Sequence, residues 1–154
     1  MSNTSQPTVS PVEAQDFERL FEIEQAAHLV PWSMGTLKNN QGERYLNLKL
    51  TQPPQHRIVG FAICQFVLDE ATLFNIAIDP AFQGKGFGIS LLNALISKLK
   101  TKGIQTLWLE VRQSNLTAMK LYEKLGFNEV DIRKNYYPLP DGKRENAVVM
   151  ALYL

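Results

Sequence analysis

Three glycines stand within five residues in the segment Gln83-Gly84-Lys85-Gly86-Phe87-Gly88, and this segment constrains the fold more than any other feature. The apolar residues at 71–78 predict a strand before it, and the spacing of apolar residues at 91–99 predicts a helix after it. Glycine lacks a Cβ, so the N–H groups of such a loop can approach an anion at the positive end of the helix. The segment predicts a strand–loop–helix unit that binds a phosphate or pyrophosphate, the alternative being a tight turn without a ligand.

Several phosphate-binding loops can be compared with this segment. The order of residues in a P-loop, GxxxxGK followed by Ser or Thr, is absent. A dinucleotide site needs GxGxxG and an acid about 20 residues further on, whereas the spacing here is GxGxG and the acid nearest that offset is Glu110. A third pattern, Gln/Arg-x-x-Gly-x-Gly/Ala, is satisfied by Gln83, Gly86 and Gly88.

The remaining pattern predicts an α/β (α+β) fold with a mixed central sheet and helices on both faces. Strands are predicted at 45–50, 58–68, 71–78, 106–111, 128–136 and 146–154. Four helices are predicted. The first runs from Ser10-Pro11 to about Ala27, and the second is short and begins after the cap residue Ser33. The third ends before Gly103, and the fourth lies between Asn115 and Gly126. The strands flanking Asp69 and Glu70 should pair antiparallel, and the apolar strand at 106–111 should lie inside the sheet.

Length and composition limit the class of protein. A chain of 154 residues fits a single domain spanning 1–154, with residues 1–8 expected to be a flexible tail. A net charge of +1 argues against a bulk electrostatic grip on nucleic acid or on an acidic membrane. One cysteine, Cys64, and two histidines are too few for a disulfide framework or a Cys/His zinc site. Without a secretory signal or a membrane-length apolar run, we expect a cytoplasmic protein without metal.

Glu110 and Tyr122 are the candidates for acid–base chemistry. Glu110 interrupts the apolar strand Leu107-Trp108-Leu109-Glu110-Val111, and we expect it to be buried, which would raise its pKa towards that of a useful general base. Tyr122 falls on the apolar face of the last predicted helix, from which its hydroxyl could reach inward. A structural hydrogen bond for Glu110 and simple core packing for Tyr122 remain the alternatives.

A second group of residues is assigned to binding a substrate. The acidic residues exceed the basic ones in the first half of the chain, where Asp69 and Glu70 could face a positively charged substrate. Trp32, at the break between the first two helices, is assigned to the same side. Tyr136 and Tyr137 could either pack in a hairpin or form a lip that contacts a peptide.

These features together resemble the GNAT-type N-acetyltransferases. The resemblance includes the strand and glycine loop at 74–88 and the segment LWLEVRQSNLTAMKLYEKLGF, with Asn115, Tyr122, Gly126 and Phe127 at the spacing typical of that family. More narrowly, GERY at 42–45, DEATLFNIAIDP at 69–80 and RKNYYP at 133–138 are similar to the RimI-type family of bacterial ribosomal-protein-alanine N-acetyltransferases.

The resemblance implies acetyl-CoA as a co-substrate bound against a splayed pair of strands. It assigns the acetyl-pantetheine arm to the main chain of Ile76, Ala77 and Ile78, the pyrophosphate to the backbone from Gly84 to Ile89, and a further contact to Asn115. It makes Glu110 the base and Tyr122 the acid. Gly84 departs from the family pattern, in which a basic side chain often stands, and Lys85 could supply that charge.

The implied acceptor is a protein with a free N-terminus, above all the N-terminal alanine of a small-subunit ribosomal protein. An α-amine has a pKa about 2.5 units below that of lysine, which makes its deprotonation about 3.4 kcal/mol easier at neutral pH. A lysine acetyltransferase and a non-catalytic acyl-CoA sensor or scaffold remain alternatives. A nicotinamide-dependent oxidoreductase is disfavoured by the glycine spacing.

Overall fold

A seven-stranded mixed sheet organises the protein, for which a computed structural model describes residues 6–154. The strands are β1 (Thr8–Pro11), β2 (Leu48–Gln52), β3 (Arg57–Val67), β4 (Glu70–Ile78), β5 (Thr106–Arg112), β6 (Asn128–Pro138) and β7 (Arg144–Tyr153). The helices are α1 (Phe17–Ala27), α2 (Met34–Asn39), α3 (Phe87–Thr101) and α4 (Leu116–Lys124). The strand order is β1-β2-β3-β4-β5-β7-β6, and only β4 and β5 are parallel neighbours.

Helices cover both faces of the sheet, which confirms the predicted fold class. On one face, leucines of α3 such as Leu91 and Leu95 pack with Leu107 and Leu109 of β5. On the other face, α1 and α2 pack against the middle of β3. β5 lies between β4 and β7, inside the sheet as predicted, because it has apolar neighbours to bury against on both sides.

The predicted start of the first helix at Ser10 is wrong. Ser10 and Pro11 belong to β1, an edge strand that tolerates proline because its outer side needs no ladder hydrogen bond. The helical segment begins later, where the N–H of Glu13 donates to Asp16 Oδ2 at 2.7 Å. The predicted tail is also wrong at Thr8, which pairs with β2, while residues 1–5 lie outside the described residues.

The strand predicted at 45–50 begins only at Leu48, because the side chain of Asn47 interrupts the backbone ladder just before it. Asn47 accepts the Cys64 N–H through Oδ1 at 3.1 Å and donates through Nδ2 to the Asn40 carbonyl at 2.8 Å. Tyr45 makes an isolated bridge with Gln65. The Ser33 cap of α2 is confirmed, since its hydroxyl accepts the Thr36 N–H at 3.1 Å.

β4 and β5 separate halfway along their length, and this confirms the splayed strand pair that the resemblance implied. Their pairing ends where Leu73 lies opposite Leu109, although β4 continues to Ile78 and β5 to Arg112. On its other side β4 shifts register against β3 at this level, so that Phe74 is an extra residue there. Such a bulge bends its strand, and it turns β4 away from β5 at the fork.

The far end of β4 is tied to α1 by an ion pair. Arg19 contacts Asp79 Oδ2 through Nη2 at 2.6 Å and donates through Nε to the Ile58 carbonyl at 2.9 Å. Asp79 Oδ1 also accepts the Ala81 N–H at 3.0 Å. Burial raises the pKa of Asp79, but these donors outweigh it and hold that pKa below its ordinary value.

We expect Asp79→Asn to lower the free energy of unfolding by about 2 kcal/mol at pH 7, because it removes a charge-assisted contact from a mostly buried site. A carboxyl whose pKa is lowered on folding stabilises the fold above its unfolded pKa of about 3.9, and this stabilisation is lost as the pH falls through the folded pKa. Urea unfolding at pH 7 and about pH 3 should therefore show the difference shrinking in acid.

Glu22→Gln is the matched control for Asp79→Asn, since it removes the exposed carboxylate on the same guanidinium. We expect Glu22→Gln to lower the free energy of unfolding by about 0.5 kcal/mol or less. Equal losses in the two variants would contradict the role given to Asp79.

Candidate functional site

Glu110 lies at the fork, as the first residue of β5 beyond its pairing with β4. The alternation of β5 places it on the opposite face from Leu109 and Val111, which are buried. Its side chain is 26% exposed and accepts from Arg133, whose Nη1 lies 2.6 Å from Oε2. The prediction that Glu110 is buried is therefore wrong: the carboxylate borders the opening between the strands and is ion-paired.

Tyr136 and Tyr137, two adjacent residues of β6, lie near the Glu110 carboxylate. Burial and then the nearby Glu110 carboxylate raise the pKa of Tyr136, and the same two causes raise the pKa of Tyr137 to about 12. The two rings meet edge to face, with centroids 5.1 Å apart. The structure thus brings Tyr136 and Tyr137 close to Glu110.

Arg112 holds Tyr137 in place, and sequence reasoning did not single it out. Its guanidinium lies 4.7 Å from the centre of the Tyr137 ring and donates to the Pro138 carbonyl at 2.9 Å and to Glu145 at 3.2 Å. Glu145 also accepts the Ser114 N–H at 3.0 Å. Arg112 follows Glu110 by two positions on the same strand, so the period of a strand was the signal that could have found it.

Tyr122 approaches the fork from the opposite face of the sheet. It is 6% exposed and packs with Val111 and Phe127 in the core cluster of that face, its ring centroid 5.6 Å from that of Phe127. Burial, and to a lesser extent Tyr137, raises the pKa of its hydroxyl. The hydroxyl therefore keeps its proton at neutral pH.

α4, which carries Tyr122, begins at Asn115. The Asn115 side chain accepts the Ala118 N–H through Oδ1 at 3.2 Å, and so caps the helix. The sequence predicted this cap. The cap leaves the side chain of Asn115 at the exposed start of the helix.

The glycine loop has the backbone that its sequence predicted. Gly84 and Gly86 have φ of +77° and +81°, a left-handed conformation that favours glycine. Gln83 closes the loop onto β4, since its Nε2 donates to the Ile78 carbonyl at 3.0 Å. Ser90 N–H donates to the Gly86 carbonyl, so the first amides of α3 point out of its N-terminus.

A profile of the acetyltransferase (GNAT) family matches residues 13–127. The chain belongs to that family. It is 74% identical over 146 residues to the [ribosomal protein bS18]-alanine N-acetyltransferase of Haemophilus influenzae, covering 95% of this chain and 98% of the relative. It is 57% identical to the Escherichia coli K12 protein of the same name, covering 94% and 96%. The crystal structure of the Escherichia coli ribosomal-protein-S18-alanine N-acetyltransferase superposes with a TM-score of 0.91, at 55% identity and coverages of 96% and 94%.

The GNAT site has one further element, a buried network that sequence reasoning missed. The carboxylate of Glu24, 1% exposed, accepts from Asn75 Nδ2 at 2.9 Å and from the Trp32 N–H at 2.8 Å. His28 Nε2 lies 2.8 Å from Asn75 Oδ1. Because Asn75 stands on β4 at the fork, the network ties Trp32 and the segment between α1 and α2 to the GNAT site. The signal in the sequence that could have found this network is Glu24, a carboxylate on the apolar face of the first predicted helix.

Asp69 and Glu70 are not brought to the fork of this GNAT fold. Glu70 pairs with Thr106 at the start of β4, about 13 Å along the strand from the level of Glu110 at about 3.3 Å per residue. Its carboxylate accepts from the Trp108 indole at 2.7 Å. Asp69 is exposed beside it.

No helix within residues 6–154 is long and apolar enough to cross a membrane. Across the same residues, no group of three or more His, Cys, Asp or Glu side chains is placed to hold a metal ion.

Proposed function

We propose that the protein transfers the acetyl group of acetyl-CoA to the N-terminal alanine of ribosomal protein bS18. The observation that carries the proposal is the near-full-length identity of 74% to an enzyme named for that reaction. The fork, with Glu110 on one face and Tyr122 on the other, supports it chemically. Transfer is direct, within a complex of protein, donor and acceptor.

The donor site is proposed along β4 and the glycine loop. Beyond Leu73 the side of β4 that faced β5 is free of that strand. The main chain along Ile76, Ala77 and Ile78 can therefore bind the acetyl-pantetheine arm as a strand would, through the groups of Ile76 and Ile78 that point away from β3. The pyrophosphate is proposed to bind the backbone from Gly84 to Ile89, in which the first amides of α3 have no intrahelical partner. Lys85 is exposed there as a cation, and Asn115 is proposed to contact the arm.

The acceptor chemistry is assigned to Glu110 and Tyr122. Glu110, directly or through a water, accepts the proton of the α-ammonium, and the free amine attacks the thioester carbonyl. A backbone N–H near Ile76 polarises that carbonyl. As the carbon–sulfur bond breaks, Tyr122 donates its proton to the departing thiolate, and the proton that the attacking nitrogen sheds in becoming an amide restores the tyrosine hydroxyl. An α-amine, with a pKa of about 7.7–8.0, suits a single carboxylate better than lysine does.

Release of free thiol from acetyl-CoA tests the proposal. We expect release with a peptide that begins Ala-Arg, and none with the same peptide blocked at its N-terminus but carrying an internal lysine. Release with the blocked peptide would instead indicate a lysine acetyltransferase. Binding of acetyl-CoA without thiol release on any amine would indicate a sensor.

We expect Gly86→Ala to weaken acetyl-CoA binding by about fivefold to thirtyfold, because an alanine at φ +81° costs about 1–2 kcal/mol and relaxation would turn the loop amides away. Gly142→Ala is the matched control, since Gly142 has φ +86° in the exposed turn between β6 and β7. Titration calorimetry should show weakened binding only for Gly86→Ala. Equal affinities in the two variants would contradict the proposed pyrophosphate loop.

A further inference from the structure

Arg133 has no part in the proposed chemistry, yet its guanidinium forms an ion pair with the carboxylate of Glu110, the proposed base. Its Nη1 lies 2.6 Å from Glu110 Oε2, and its guanidinium carbon lies 4.5 Å from the centre of the Tyr136 ring. The Arg133 side chain is 53% exposed, twice the 26% of Glu110. A cation that solvent reaches freely therefore covers one oxygen of a carboxylate at the fork.

The segment that carries Arg133 is held in place by an irregularity of the sheet. The register of β6 against β7 shifts between Arg133 and Tyr137, which leaves extra residues on β6. Asn135 adopts φ +50° within this stretch, and its N–H donates to Asn146 Oδ1 at 3.0 Å. Arg133 itself lies before this shift, opposite Ala147, which in turn lies opposite Arg112. Because alternate residues of a strand share a face, Arg133 lies on the same face of the sheet as Glu110.

We infer that Arg133 is a specificity-determining residue, whose guanidinium must be displaced from Glu110 by the cationic amine of the acceptor. The inference rests on the proposed function. An α-ammonium carries the same charge as the guanidinium, so it can replace one ion pair at Glu110 with another. A neutral nucleophile offers no charge in exchange and leaves Arg133 in place.

The free-energy cost of displacing the Arg133 guanidinium from Glu110 is small, and its effect on acceptor binding can be measured. Arg133 is more than half exposed, so its release returns it to solvent, and the Tyr136 ring can retain it there by a cation–π contact. Exposed ion pairs contribute little to affinity, which corresponds here to about a twofold to fivefold effect on acceptor binding. Removing the competing cation should therefore strengthen acceptor binding by that factor.

Steady-state kinetics with the Ala-Arg peptide and saturating acetyl-CoA separate this role from a structural one. For Arg133→Gln we expect the KM of the peptide to fall about twofold to fivefold with kcat unchanged. Lys134→Gln makes the same change of charge at the exposed next residue and should leave both constants unchanged. Arg133→Lys keeps a competing cation and should keep a KM near that of the wild type.

Each other result counts against the inference. A fall in kcat for Arg133→Gln would make Arg133 a positioning residue for Glu110 and overturn displacement. Equal KM values in Arg133→Gln and Lys134→Gln would overturn it as well. The absence of thiol release by the wild type with every α-amine would overturn the proposed function itself, which distinguishes the two failures. Circular dichroism checks that the variants are folded.

Discussion

Glu110→Gln is expected to lower kcat/KM for the acceptor peptide by about 10²-fold to 10³-fold at pH 7. A glutamine cannot accept the proton of the α-ammonium, and a positioned general base contributes about that much to a rate. The defect should narrow at about pH 9, because an α-amine with a pKa of about 7.7–8.0 then loses its proton to water. Thiol release measured across this pH range provides the test.

The matched control is Glu129→Gln, which removes an exposed carboxylate from β6 of the same sheet. It should leave the pH profile unchanged. A Glu110→Gln protein with wild-type turnover at pH 7 would remove the carboxylate from the mechanism. A defect that stays constant with pH would point to a role in binding.

Tyr122→Phe is expected to lower kcat by about 10²-fold while leaving acetyl-CoA affinity unchanged. Only the hydroxyl is lost, because phenylalanine retains the packing against Phe127. A tyrosine hydroxyl carries its proton at neutral pH, so the variant lacks the proposed donor to the departing thiolate. Single-turnover kinetics and calorimetric titration of acetyl-CoA measure the two quantities separately.

Tyr153→Phe is the control for Tyr122→Phe, since that hydroxyl belongs to a 74% exposed residue of β7. Its kcat should equal that of the wild type. An intact kcat in Tyr122→Phe would refute the acid role. Tyr137, whose hydroxyl is close enough to raise the pKa of Tyr122, would then be the group to substitute next.

Local signals predicted the glycine loop before α3 and the Asn115 cap, which both belong to the proposed donor side. The positive φ of Gly84 and Gly86 is a demand of the backbone itself, and glycine is the residue that meets it most easily. The Asn115 cap likewise depends on its own helix. Such features are decided within a few residues of the chain, so their patterns can be recognised without the fold.

The acceptor side depends on contacts that are distant in sequence, and there prediction was weaker. Glu110 interrupts an apolar run, which suggested burial, but the separation of β4 from β5 at Leu73 leaves it beside an opening. That separation follows from the extra residue Phe74 against β3. No local sequence pattern predicts such a bulge, and only the family resemblance implied that β4 and β5 separate.

The same limit applies to partners of charged residues. Arg133 meets Glu110 because β6 returns next to β7 with a shifted register. Glu24 meets Asn75 because α1 crosses the face of β3 and β4. Ser10 and Pro11 mark a helix start or an edge strand equally well, and pairing with β2 decides between them.

The N-terminal peptide of ribosomal protein bS18, analysed by mass spectrometry in cells with and without this protein, tests the proposed function most directly. We predict an acetylated N-terminal alanine when the protein is present and a free α-amine when it is absent. Restoring the Glu110→Gln variant should leave the amine free. An N-terminus acetylated to the same extent in both kinds of cell would contradict the proposal.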